Sequence, residues 1–192
     1  DQDDIWLPHK IESTYLKMLE MESVNPTTPI LVHTDLAIAD EDGFVVKGSR
    51  YKYDKLYPDW LDKLNWFIVS YRICGNTIML NDKAKVVALP FDDRIYMHDW
   101  WVVLMTLKMG GVVCNLKKST ILYRQHRQQV VGLKSFNSIE KKEDGKISNF
   151  LIRLKGNFYQ YSLLNEWVGI SFSNYIFHKL VFWIYRLLEK RG

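Results

Sequence analysis

The apolar residues of this chain change period as it runs, and that alternation constrains the fold more than any other feature. Ile11, Tyr15, Met18 and Leu19 recur at helical spacing behind Pro8, which suits a first helical position. Asn25-Pro26 ends that helix, because the residue before a proline is pushed out of the helical region. Residues 30–34, introduced by Pro29, form a short continuous apolar run that reads as a buried strand. Asp42-Gly43 then makes a turn between residues 37–39 and 44–46, a hairpin pattern. Residues 47–58 carry no clear period and read as a surface loop. Trp60, Leu61, Leu64, Phe67 and Ile68 predict one amphipathic helix over residues 59–70. A second strand over 77–81 is reached through Gly75-Asn76, and a helix over 98–109 stops at Gly110-Gly111. Two short strands are expected at 112–116 and 119–124. Strands alternating with helices predict an α/β layered core.

Composition removes several classes. Of 192 residues, 47% are hydrophobic and 14% aromatic, too rich in both for a disordered chain. Two cysteines are too few for a disulfide-stapled scaffold, and Cys74 and Cys114 show no metal-ligand spacing, so buried free thiols are expected. No run of about 20 uncharged apolar residues is present, and no leader pattern stands at the front.

The formal charge of +4 is unevenly spread. Residues 1–110 carry 12 basic and 17 acidic side chains, and residues 111–192 carry 14 and 5. Residues 133–147 read as a linker, rich in charge and glycine. Residues 148–192 read as two aromatic, basic helices. The second is too charged to span a bilayer, which leaves a membrane-interface helix or packing against protein. Its basic residues are not gathered into a groove-sized patch, so no nucleic acid is expected.

Several residues suit a site. Asp1, Asp3 and Asp4 stand together, and period-two spacing on a strand would point Asp1 and Asp3 the same way. Such oxygen ligands suit Mg²⁺ or Mn²⁺, and an acidic helix cap is the other reading. Asp99 lies at a helix start, where a carboxylate is favoured by the macrodipole or can serve as a base. Trp100 and Trp101 point about 100° apart, so at most one faces a ligand; Trp100 is the choice for a sugar face. Arg124 and Arg127 offer forked donors to a diphosphate, and His126 a nitrogen to a metal, with a solvated basic strand end as the other reading. Gly75-Asn76 permits close backbone approach or a tight turn. Asp35 is a weaker cleft residue, and His9, His33 and His178 read as ordinary surface or packed histidines.

Taken in order, DQDDIWLPHKI, HTDLAIADEDG, CGNTIMLN, MHDWW and LYRQHRQQVVG, over residues 1–132, resemble the C-terminal half of a family 2 glycosyltransferase of the rhamnosyltransferase-like type. The resemblance implies a GT-A fold with a nucleotide-sugar donor of UDP or dTDP type and a polysaccharide or lipid-linked acceptor. It also implies inversion at the anomeric carbon; a cytoplasmic location is expected, with the tail as the peripheral contact on the inner membrane face. It assigns the Asp-x-Asp motif to Asp1-Gln2-Asp3, with Mn²⁺ or Mg²⁺ on Asp1, Asp3 and His126 and with Asp4 in support. Asp99 becomes the base, Arg124 and Arg127 the donor-diphosphate residues, and Trp100, Gly75 and Asn76 the acceptor or sugar contacts. The family carries a base-binding half before this motif, so a piece of a longer enzyme is expected. A non-catalytic acceptor- or membrane-binding fragment is the alternative, and a two-carboxylate glycoside hydrolase a more distant one.

Overall fold

Ten consecutive residues, Ile30–Ala39, form the central strand β2, and all ten are buried. The computed structural model describes residues 3–56, 58–70, 73–95, 97–125 and 159–189. Two compact units divide the chain, Asp1–His126 and Arg127–Gly192.

In the first unit, β1 (Ile5–Trp6), β3 (Val45–Lys47), β4 (Ile78–Leu80) and β5 (Val112–Arg124) join β2 in one mixed sheet. Its order is β1-β5-β2-β3, with β4 also on β2. β5 runs parallel to β2, from Ile30 opposite Val112 to Ala39 opposite Arg124, while the other pairings are antiparallel. Where two strands were expected within 30–39, β2 continues through Asp35. Its polar residues are satisfied inside: Thr34 and Thr120 share a 2.7 Å hydrogen bond, and Asp35 Oδ1 accepts from the Leu36 and Tyr51 amides. β5 is likewise one strand rather than two. Lys117 takes a positive φ of 53° there, and its amide donates to Asn115 Oδ1 at 2.5 Å, so the interruption is a kink and not a turn.

Helix α1 (Lys10–Val24) ends at Asn25 as expected. Its inward stripe is Lys10, Thr14 and Met18, not the predicted Ile11, Tyr15 and Leu19, which are exposed. Met18 packs on Ile30 and Val32 with Met21, Met79 and Val112 around it. Lys10 is accommodated by its ammonium lying 4.4 Å from the Trp6 ring centroid.

The segment expected as a loop contains α2 (Arg50–Tyr53), which buries Arg50 and Tyr51 and is capped by Ser49. The single helix expected over 59–70 is two, α3 (Pro58–Leu61) and α4 (Leu64–Ser70). The break lets Trp60 and Trp66 stack with centroids 4.6 Å apart. Helix α5 (Asp82–Ala88) has no counterpart among the expected elements. Its N-cap, Asn81, accepts from Ala84 N and Ile30 N and donates to Glu22 and Thr28, joining three elements. Helix α6 (His98–Lys108) stops as predicted. Gly110 N reaches Leu107 O and Gly111 N reaches Thr106 O, a Schellman closure with Gly110 at φ 69°.

In the second unit, helix α7 (residues 159–168) is followed by Gly169 at φ 68° and by α8 (Phe172–Glu189). Tyr161 contacts Phe172 and Tyr175, and Asn165 Nδ2 closes the turn on Ile170 O at 2.9 Å. Among the described residues no helix is long and apolar enough to cross a membrane.

Candidate functional site

The carboxyl-terminal ends of the parallel pair β2 and β5 gather side chains from five separated segments. Strand ends of this kind are where open α/β sheets present ligand-binding groups. Asp99, in the first turn of α6, is 5% exposed. Its Oδ1 accepts from the Trp100 amide at 2.8 Å and its Oδ2 from the Gly75 amide at 3.0 Å. Each carboxylate oxygen has a second lone pair, so this fixing leaves the group able to accept a proton.

Gly75 opens a 3₁₀ turn, Gly75–Thr77, that leads into β4. A Cβ on it would lie 3.1 Å from His98 Nε2 and 3.2 Å from Asp99 Cβ, so glycine is what allows the turn to sit against α6. The next residue, Asn76, donates from Nδ2 to Asp4 Oδ2 at 2.5 Å, while its buried Oδ1 meets no partner among the described residues. Burial raises the Asp4 carboxyl above the ordinary carboxylate range, against the lowering effect of Asn76. Arg124, the last residue of β5, donates from Nε to the carbonyl of Asp3. The acidic turn 3–4, the Gly75 turn, the head of α6 and the end of β5 are thereby tied together.

At the centre lies a group that the sequence did not nominate. Arg50 Nη1 donates to Cys74 Sγ, its Nε donates to Asp54 at 3.1 Å, and its guanidinium stands 6.0 Å from the Tyr123 ring. Burial opposes the charge on Arg50, yet Cys74 and Asp54 together raise its proton affinity. Burial likewise pushes the Cys74 thiol up, with Asp99 and Asp4 adding to the rise and Arg50 opposing it. Tyr123 is raised by burial too. A Ser49 N-cap ahead of Arg50 was the one local signal for α2, and it is weak on its own.

The remaining nominated residues separate. Trp101 is core, its Nε1 on Ala88 O at 2.8 Å, whereas Trp100 is half-buried with one ring face toward Phe67. Asp35 is structural: its carboxylate holds the start of α2 through Ser49 and Tyr51. His33 is fully buried, bonded to Tyr51 Oη at 2.9 Å, and burial lowers its pKa to about 3. Asp1, His126, Arg127 and the linker 133–147 lie outside the described residues. Among the described residues no three His, Cys, Asp or Glu side chains come together as a metal centre.

Arranged in this way, the site holds two carboxylates and two guanidiniums beside a backbone amide turn, on a mixed α/β scaffold. The chain matches no protein-family model and no curated protein.

Proposed function

We propose that the chain is part of a glycosyltransferase of GT-A type that moves a sugar from a UDP- or dTDP-linked donor to a polysaccharide or lipid-linked acceptor, with inversion. The observation that supports this reading is the meeting of Asp3-Asp4, Gly75-Asn76, Asp99 and Arg124 through direct hydrogen bonds, although up to 121 positions separate them. Asp99 acts as the base: it takes the acceptor hydroxyl proton as that oxygen attacks the anomeric carbon opposite the leaving diphosphate. Arg124 and Arg127 offset the charge of the departing diphosphate. Trp100, Gly75 and Asn76 position the sugar.

Asp1, Asp3 and His126 would hold Mn²⁺ or Mg²⁺, since carboxylates with an imidazole form a donor set that fits such an ion. Of these Asp3 alone is among the described residues, and its backbone is fixed by Arg124. When bound, the ion supplies positive charge to the diphosphate.

The test is paramagnetic broadening of amide signals when Mn²⁺ and UDP, dTDP or pyrophosphate, the last of which needs no base pocket, are added to the chain. Broadening of the Asp3, Asp4, Gly75 and Arg124 signals, lost in Asp3→Ala, is expected. Unchanged spectra, or equal broadening in Asp3→Ala, would overturn the reading. Glycan binding without any nucleotide response would instead favour a non-catalytic acceptor-binding module.

A further inference from the structure

Helix α8 turns its Tyr175 side toward α7 and an apolar side outward. At 100° per residue, Phe177, Leu180, Trp183, Ile184, Leu187 and Leu188 fall within an arc of roughly 140°. Each of the six is between 41% and 65% exposed. The sole polar residue within the arc is Ser173. On the opposite side, Tyr175 is buried against Tyr161 and donates to Gln160 Oε1, and Lys179 Nζ donates to Tyr175 Oη at 2.8 Å. His178 pairs with Asn174 O at 2.9 Å. Folding of the hairpin therefore uses the Tyr175 side, packed beside the buried Leu164, Trp167 and Ile170, while the six residues of the arc stay exposed.

We propose that α8 is an interfacial anchor lying flat on an anionic lipid surface, its apolar arc in the acyl boundary and its basic border among the headgroups. The proposal stands independently of the transferase reading. Three observations favour lipid over a second copy of the chain. The arc is wider than the narrow seam by which two helices pair. Arg186 lies beyond it on one side, and over residues 159–192 four basic residues stand against Glu166 and Glu189. Self-pairing would set those cations beside their own copies, whereas anionic headgroups complement them. Finally, Trp183 stands in the arc and Tyr185 beyond its other border, aromatic rings with polar tips that suit the water–acyl boundary. The helix is not apolar enough to cross, so it lies in the plane.

Co-sedimentation of the chain with vesicles tests this, using phosphatidylcholine alone and phosphatidylcholine mixed with phosphatidylglycerol. The chain is expected to pellet with the mixed vesicles and to be released by salt. The double variant Leu180→Gln/Leu187→Gln, at two exposed positions, is expected to partition at least about tenfold less, with its circular dichroism unchanged. Four results would overturn the proposal: no pelleting, equal pelleting of the variant, equal binding to neutral vesicles, or a solution dimer that the same variant dissociates. If the variant fails to fold, tryptophan quenching by brominated lipid in the unaltered chain decides. Quenching supports the anchor, and none overturns it.

Discussion

The backbone N–H of Gly75 donates to Oδ2 of Asp99 across 3.0 Å, and the Cβ that this glycine lacks would stand 3.2 Å from Asp99 Cβ. The bond and the contact leave little room for a side chain. Gly75→Ala should therefore cost about 1–2 kcal/mol in urea unfolding, because the turn must back away from α6. Gly48→Ala, where a new Cβ meets nothing within 4 Å, should stay within about 0.5 kcal/mol of the parent. Equal losses in both would refute the packing argument.

Asn81 caps α5 and ties it to β2 and α1. Asn81→Ala leaves the Ile30 and Ala84 amides without their side-chain acceptor, at a cost of about 2–3 kcal/mol. Asn81→Asp keeps that acceptor but sets a carboxylate beside Glu22, so an intermediate loss is expected. Chemical denaturation of the two variants ranks them.

His33 is buried neutral, its pKa lowered to about 3 by burial from an ordinary 6.5. Between those values the unfolded chain binds a proton that the folded chain does not, so stability falls on acidification below pH 6.5. By pH 4 this one group removes about 3 kcal/mol. His33→Gln can still hydrogen-bond to Tyr51 and should lack that component. The comparison is urea unfolding of both proteins from pH 7 to pH 4; identical pH slopes would count against it.

The Cys74 thiol, raised by burial, should react slowly with iodoacetamide at neutral pH and reach half its limiting rate above the ordinary thiol value. Arg50 opposes the rise, so Arg50→Gln should move that midpoint upward. A downward shift in the variant would mean that the guanidinium does not stabilise the thiolate.

Where a residue's effect is local, the sequence was a sufficient guide. Asn25-Pro26 and Gly110-Gly111 end their helices through backbone restrictions that operate within a few residues. Helix α2 was illegible because it is held by contacts from afar: Asp35 on β2 accepts the Tyr51 amide, and Cys74 accepts from Arg50. Helix α5 was missed because Asn81 reads equally as a strand end and as a cap. The inward face of α1 is hidden from periodicity because Lys10 and Thr14 are polar, and Trp6 with the carbonyls of Lys10 and Ile11 makes them tolerable inside. Within the candidate site, Asp99, Gly75 and Asn76 were nominated by type and position. Arg50 and Cys74 were not, because a buried guanidinium on a thiol follows no periodic rule.

The parallel register of β2 and β5 carries a consequence for how the protein is made. His33 and Asn115, bonded across those strands, are 82 positions apart. During synthesis a ten-residue strand, wholly buried in the finished fold, leaves the ribosome long before its main partner exists. Until then, among the described strands, β3 and β4 alone are available to pair with it, so its apolar surface is the part of the nascent chain most open to wrong contacts.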